Sequence, residues 1–334
     1  MLRSLNGGNQ GEGTIRISSG SAVVLGLAKS RLEVAPTTAY LMVGDRCSRD
    51  CLFCAQARHS TAQADQLSRV TWPAFLVGEV IPRLVAAYEQ RAVRRCCLQV
   101  TSGRGMVQRV RDVVRQIASA SAVPLCVCIR TSSIETIGGL LALGVERVTL
   151  ALDAACPPAY NRVKGPGWQN ALDLLRRAAK HYPGRVGTHV IIGLGETEAE
   201  AVELLQTMQD AGIMTALFAF TPVPGTALGN ELPPALASYR RVQVARYLIV
   251  RGLGRHEQFQ FSPDGRLTSY GIEAPVLAKL LLDGEAFQTS GCPDCNRPYY
   301  NERPGGPLYN YPRPLQPDEA AAATALVSDS LVDP

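Results

Sequence analysis

Cys47, Cys51 and Cys54 stand as C-x3-C-x2-C, and Cys292 and Cys295 as C-x2-C, in a chain that holds ten cysteines. Thiolates are soft ligands suited to iron–sulfur clusters and to zinc. A closed structural zinc site takes four protein ligands, and a 4Fe–4S cube is normally held by four cysteines. Three cysteines in one short loop therefore suit a cube with one iron left open to something that is not protein. The C-x2-C pair supplies two ligands of a further site. Cys97, Cys126 or Cys128, or a Ser or Asn oxygen nearby, would complete it, with zinc as the competing occupant. Cys96, Cys97, Cys126 and Cys128 also lie in apolar, strand-like runs, where free cysteine serves as a small buried hydrophobe. Alternation along a strand turns only one of Cys96 and Cys97 inward, and Cys97 is favoured. Cys156 is alone.

The other reactive residues give weaker signals. The four histidines are not a metal set: His59 lies near the first cysteine group, His189 reads as a satisfied core residue, and His181 and His256 read as surface. Trp72 and Trp168 read as packing. Tyr299, Tyr300, Tyr309 and Tyr311 either line a mouth or order the tail. Arg162 and Lys164, before a Gly-Pro-Gly turn, read as solvent-exposed, with carboxylate binding as the alternative.

These groups need a frame to hold them. The chain has 334 residues, 46% hydrophobic and 19% charged, which excludes a disordered or collagen-like chain. Its net charge of +5 is spread along the sequence, so no nucleic-acid surface is expected. No apolar run reaches the ~20 residues of a membrane span, and the start lacks the apolar core of a secretory signal, so a cytoplasmic protein is expected. Short apolar runs at 40–43, 96–101, 125–130, 147–153, 186–193, 216–221, 258–262 and 286–290 read as strands. Amphipathic stretches at 73–88, 106–119, 134–143, 169–181, 198–211, 235–250 and 275–282 read as helices. Strands alternating with helices make βαβ units and a parallel sheet. The expected fold is α/β, a (β/α)8 TIM-type barrel, closed or incomplete, with a C-terminal cysteine-containing extension. The division expected is an irregular N-terminal extension over 1–35, a barrel over 36–291 and an extension over 292–334 that frays from Ala320. An open barrel of six units with a separate C-terminal segment is the alternative. Chemistry in such barrels sits at the C-terminal ends of the strands. Cys47–Cys54 and the C-x2-C pair are expected to converge on that one mouth.

The run from Asp45 to Gln56 resembles the radical S-adenosylmethionine superfamily, and Cys54-Ala-Gln-Ala57 resembles its biotin synthase branch. The resemblance implies a 4Fe–4S cluster on Cys47, Cys51 and Cys54, with Phe53 beside it. The open iron binds S-adenosylmethionine, whose reductive cleavage gives a 5′-deoxyadenosyl radical that abstracts an unactivated hydrogen. It further implies S-adenosylmethionine neighbours at Gln99 and Thr101, at Asp153 of Leu150–Asp153, and at Ile191, Gly193 and Glu196 of the 190–196 run. Two of the four ligands of biotin synthase's second cluster match Cys97 and Cys126, whereas the other two fall on Gly187 and Gln260.

In exchange, Ser290–Gly306 with Tyr309–Arg313, together with 54–58 and 67–73, resembles the two-subunit lipoyl synthases. That resemblance implies a second, auxiliary 4Fe–4S cluster on Cys292 and Cys295, with Cys97 and Cys126 as candidate further ligands, consumed as a sulfur source. It implies an octanoylated carrier protein as substrate, with sulfur placed at C6 and C8, a second homologous radical subunit and an electron donor. Phe218, Phe220, Phe259 and Phe261 are candidates for the wall around the octanoyl chain. A biotin-synthase-like enzyme on another substrate and a non-catalytic cluster-bearing scaffold are the alternatives.

Overall fold

A computed structural model describes residues 13–302 and 305–332. The first twelve residues, with the glycine-rich start, lie outside the described residues. So do Arg303 and Pro304 of the C-terminal motif and the last two residues.

In chain order the elements are β1 (Thr14–Ile17), α1 (Ser19–Val24), β2 (Thr38–Val43), the small hairpin β3 (Gln66–Leu67) and β4 (Val70–Thr71), β5 (Ala74–Leu76), α2 (Val77–Glu89), β6 (Arg95–Val100), α3 (Met106–Ala120), β7 (Leu125–Cys128), α4 (Ile134–Ala142), β8 (Val145–Thr149), α5 (Pro157–Lys164), α6 (Trp168–His181), β9 (Val186–Ile192), α7 (Glu198–Asp210), β10 (Met214–Ala219), α8 (Leu236–Arg251), β11 (Gln260–Phe261), β12 (Leu267–Ser269), α9 (Ala274–Leu280) and α10 (Pro317–Val332). The main sheet runs β10-β9-β8-β7-β6-β2-β1-β5. From β2 through β10 the pairs are parallel, whereas β1 is antiparallel to β2 and to β5.

Local sequence explains these elements. All six residues of β2 and all four of β7 are buried, as expected of strands covered by helices. In α3 the buried residues are Val110, Val113, Val114 and Ile117, one stripe at helical spacing, with arginines on the other faces. Thr197 and Glu200 form a reciprocal capping box that starts α7.

The barrel is therefore open, with six parallel strands among the described residues. The runs at 258–262 and 286–290 do not extend it. Gln260 and Phe261 pair with β12 in a separate hairpin. Residues Glu285–Phe287 make a 3-10 turn, and Gln288 forms only a bridge to Tyr311. Two further expectations change. Residues 14–17 are not irregular but supply an antiparallel strand. The tail from Ala320 is not frayed: α10 packs on the body through Ala320, Ala323 and Val327, all buried. Among the described residues no helix is long and apolar enough to cross a membrane.

The open side is closed by residues 288–302. On one flank Leu217 N donates to Ser290 Oγ at 2.9 Å, and Asn301 Nδ2 donates to Ala219 O at 2.9 Å, both along the free edge of β10. On the other, Thr37 Oγ1 donates to Asp294 O at 2.6 Å and Arg297 N to Tyr40 OH at 3.0 Å, beside β2. This strap is anchored by Arg240, 1% exposed, which donates to Tyr309 O at 2.6 Å and to Leu308 O, and lies over the rings of Phe287 and Tyr311.

A second anchor is the buried pair Glu198–Arg241, 2.5 Å apart, whose carboxylate also accepts from Leu267 N at 2.9 Å. It joins α7, α8 and the β11–β12 hairpin. Removing one partner leaves the other charged and buried. Glu198→Ala is expected to cost about 3–5 kcal/mol in a denaturant titration, and the double change Glu198→Leu/Arg241→Met much less.

Candidate functional site

The loop after β2 carries the first cysteine set. Arg46 organises it: Nη1 donates to Ala55 O at 3.1 Å, Ala57 O at 3.2 Å and Ser60 O at 2.7 Å, and Nη2 to Ala62 O at 2.9 Å. The buried Gln56 side chain holds Ala64 O and Gln66 O. Backbone bonds from Ser48 N to Ser102 O and from Leu52 N to Val163 O dock the loop on neighbouring barrel loops. Two amides, Arg49 N at 3.4 Å and Ser102 N at 3.3 Å, donate to Cys47 Sγ. Amide donors aimed at sulfur suit a thiolate that holds a metal cluster, since such bonds stabilise the charge on sulfur. Burial pushes the Cys51 thiol up and the Cys54 thiol to about 12, and the neighbouring cysteine charges add to the shift. A cation beside these sulfurs would offset that cost of charging them.

Gly225 locks this loop from outside. Its φ is +87°, its carbonyl accepts from Thr61 N at 2.8 Å, and a Cβ there would sit 2.4 Å from Ala62 N. Gly225→Ala is expected to displace the Arg46-bound turn, lowering stability by about 2 kcal/mol. Iron bound at Cys47, Cys51 and Cys54 should fall with it, read by metal analysis.

The lumen is a cavity of about 250 Å³. Cys51, Phe53 and Cys54 face it from the loop, at the C-terminal ends of the strands. Cys97, Cys126, Cys128, Cys292 and Cys295 also face it. The C-x2-C pair, however, does not join the mouth. The strap brings it to the opposite end, where Asp294 lies against Thr37 and Thr38, Pro293 O accepts from Arg95 Nε, and Cys292 Sγ lies 3.2 Å from Cys126 Sγ. Thr38, Arg95 and Cys126 are at the N-terminal ends of their strands. The two cysteine sets thus face each other across the lumen. The reason is the open barrel: its closing segment is free to enter from below.

At this lower end Cys97 lies opposite Cys126 across the β6–β7 ladder. Gln99 Nε2 is 3.2 Å from Cys97 Sγ, Tyr40 OH is 3.4 Å from Cys295 Sγ, and Arg95 Nη1 is 3.0 Å from Cys126 Sγ. Burial and the other thiols push Cys97 well up. Cys126, hydrogen-bonded to Cys292, is also raised, and Cys292 falls to about 6 through that bond and through Arg147 and Arg95. Cys128 lies higher in the lumen, pushed by burial to about 12. Among the described residues no three His, Cys, Asp or Glu groups crowd tightly enough to hold a single metal ion. Cys96 and Cys156 are packed in the outer core.

The remaining expected neighbours divide. Phe53, Gln99, Asp153 and Ile191 line the lumen. Asp153 has a left-handed φ of 70° and is fixed by Lys164 Nζ at 2.5 Å. Lys164 is thus buried, not solvent-exposed, because Asp153 and the carbonyls of Ala151 and Leu152 solvate its ammonium. Thr101 lies outside the lumen, on a groove of about 980 Å³ shared with Arg49 and Arg130. Gly193 is not a lumen residue, and Glu196 turns back on its own backbone, accepting from Gly193 N at 2.6 Å and Leu194 N at 3.0 Å. Phe218 and Phe220 line the cavity. Phe259 instead packs on Tyr270, and Phe261 stacks on His256, because β11 left the barrel. Gln260 is exposed on that hairpin, so it does not occupy a lumen ligand position. Gly187 carries no side chain and so supplies no ligand; a Cβ there would lie 2.9 Å from the flexible end of Met214.

Sequence reasoning missed Tyr40, Arg95 and Arg297. Arg297 lies over the Phe218 ring at 4.0 Å and donates to Leu217 O at 3.2 Å. The only signal was its place two residues after Cys295. The tyrosines divide by role: Tyr300 lines the lumen, while Tyr309 and Tyr311 pack around Arg240 and order the tail.

His189 is half-buried against Cys128 Sγ (3.9 Å) and the Phe218 ring. Burial lowers its pKa from 6.5 to about 4, opposed by Asp153 and assisted by Arg297 and Lys164. It is neutral at pH 7. As pH falls below 6.5 the unfolded chain takes up this proton first, so the stabilising contribution is present above that value and lost toward pH 4. The folded protein should lose about 2 kcal/mol between pH 7 and pH 5 from this group. His189→Phe should remove that part of the pH dependence in urea titrations.

A family model described as the Radical SAM superfamily matches residues 41–208, half of the chain. Biotin synthase from Clostridium acetobutylicum is 28% identical over 194 residues, covering 56% of this chain and 57% of the relative. Biotin synthase from Desulforudis audaxviator is 30% identical over 216 residues, covering 61% and 62%. The chain spans about three fifths of the length of these curated relatives. Among solved structures, HydG, a maturase of FeFe-hydrogenase, superposes with a TM-score of 0.53 at 16% identity, covering 65% of this chain and 51% of HydG. Methylornithine synthase (PylB) gives 0.51 at 14%, covering 65% and 62%. At these identities the structures speak to the fold.

Proposed function

The chain belongs to the radical SAM superfamily, and from that premise we propose that it inserts sulfur into an unactivated carbon chain, as one subunit of a two-subunit lipoyl synthase acting on an octanoylated carrier protein. One observation carries this reading: two cysteine sets face each other across an apolar lumen, Cys51 and Cys54 from the mouth and Cys97, Cys126, Cys292 and Cys295 from below. When bound, a 4Fe–4S cluster on Cys47, Cys51 and Cys54 would supply the electron that cleaves S-adenosylmethionine, and one on the lower set the sulfur. The residues of the chain do the rest. Phe53, Trp72, Phe218 and Phe220 line a lumen that excludes water and suits an alkyl chain. Asp153, held by Lys164, offers a fixed carboxylate to a hydroxyl of the cosubstrate. Gln99 and Tyr40 brace the lower sulfurs. A one-electron donor and a second homologous radical subunit belong to this reading.

The test is product analysis with an octanoyl-lysyl carrier peptide, S-adenosylmethionine and dithionite. Thiol at C6 or C8 of the chain supports the proposal; 5′-deoxyadenosine without any sulfurated peptide, with or without the partner chain, overturns it. A biotin-synthase-like reaction on another small substrate is the second reading, favoured by the similarity to biotin synthases. Gly187 and the outlying Gln260, which offer no ligand to the lumen, speak against their usual second cluster.

A further inference from the structure

A second cavity, of about 490 Å³, lies between the N-terminal segment and the strap. Ser19, Arg31, Glu33 and Thr71 are among its outer residues, while Tyr40, Arg297 and Tyr300 line both this cavity and the lumen. These three side chains are thus a partition one residue thick. Directly behind it is one sulfur: Cys295 Sγ lies 3.4 Å from Tyr40 OH and 3.8 Å from Arg297 Nη1.

Two independent features mark this partition as more than packing. Three of the six non-glycine residues with positive φ among the described residues fall within it or beside it: Asp294 (60°), Arg297 (35°) and Tyr299 (57°). Left-handed backbone at such residues stores strain and concentrates at ligand clamps and switch segments. The second feature is charge. Arg297 is a cation within the partition with no carboxylate ion-pair partner among the described residues; its guanidinium meets Leu217 O, the Phe218 ring and Cys295 Sγ. Two carboxylates, Glu33 and Glu302, also line this cavity, and neither forms an ion pair with Arg297. Glu33 accepts from Tyr299 OH at 2.5 Å, and Glu302 accepts from the amides of Asn301 and Asn310. Arg31 adds an exposed guanidinium. A cation lacking a counter-ion favours a small anion beside it.

We propose that this cavity is a side entrance through which a small sulfur anion, hydrosulfide, reaches Cys295 without passing the Cys47–Cys54 mouth. The proposal rests on the sulfur-insertion reading and deepens it: sulfur removed from the lower end of the lumen is renewed from the side, while the mouth serves S-adenosylmethionine.

The test uses the full chain without metal and 2-sulfonatoethyl methanethiosulfonate as an anionic probe. The thiolate attacks the probe's sulfenyl sulfur, a mixed disulfide forms and methanesulfinate leaves, and peptide mass spectrometry follows each cysteine. Cys295 is expected to be modified in the wild type. Thr71→Trp, filling the cavity from its exposed lip, should slow Cys295 about tenfold and leave Cys51 unchanged. Tyr300→Ala should speed Cys295. Ser19→Trp serves as a second plug should Thr71→Trp misfold by circular dichroism. Equal Cys295 rates in wild type and a folded plug variant overturn the proposal, as does a Cys295 that stays unmodified even in Tyr300→Ala. Labelling needs neither cluster nor turnover, so it can fail while the octanoyl assay succeeds, and the reverse.

Discussion

Simultaneous replacement of Cys47, Cys51 and Cys54 by alanine is expected to abolish reductive cleavage of S-adenosylmethionine and to leave the barrel folded. The three thiols are half-buried and lie in a loop whose shape is set by other groups. Arg46 holds four carbonyls, Gln56 two, and Ser102 and Val163 pin the backbone. The core strands do not depend on these sulfurs, so the thermal midpoint should move little. The chemistry should vanish, because no other described group can take over from the thiolates that fix the open iron. The checks are 5′-deoxyadenosine by chromatography and iron content, which should fall by about four per chain. Cleavage retained in the triple variant would remove the radical assignment from this loop.

The second large effect separates the two ends of the lumen. Cys292→Ala/Cys295→Ala is expected to leave 5′-deoxyadenosine formation intact, to remove about four further irons and to eliminate sulfurated product. On the proposed reading, the split follows from the placement of the two cysteine sets. Cys292 and Cys295 touch Cys126, Tyr40 and Arg297 at the lower end, while Cys51 and Cys54 face the mouth. Unchanged iron would end the idea of a second cluster. Zinc recovered at one equivalent in the wild type, lost in this variant, would turn the lower set into a structural site and favour a reaction without sulfur loss.

Much of this was legible in the sequence, for reasons that differ from residue to residue. The parallel strands were readable because helices on the outer face and the lumen on the inner one demand nearly continuous apolar runs, as in Leu125–Cys128. The same signal misled at 258–262 and 286–290. Phe259 and Phe287 are buried by α8, Tyr270 and Arg240, and periodicity alone does not tell which surface a short apolar run covers. The Cys47–Cys54 loop was readable because its ligands are close in sequence. The lower set was only partly so, since Cys126 and Cys292 meet across more than a hundred residues. Arg95 and Arg297 carried no local pattern, because their roles come from the strap's path. Lys164 was misread for a similar reason: its carboxylate partner sits on another element's end, at a backbone conformation that sequence does not announce.

The strap also orders events in time. Its bonds to Thr37 and Tyr40 span 255–259 residues, so the floor of the lumen is completed long after β2 has been synthesised. On a ribosome the upper loop and its six strands emerge first and can collapse as a unit, since their contacts join neighbouring βαβ segments. Cys97 and Cys126 pair early across β6 and β7, but Cys292 and Cys295 join them only once the strap has been made. A nascent chain stalled short of residue 290 would therefore present the mouth ligands on a barrel with no base, and maturation would proceed from the top of the lumen downward.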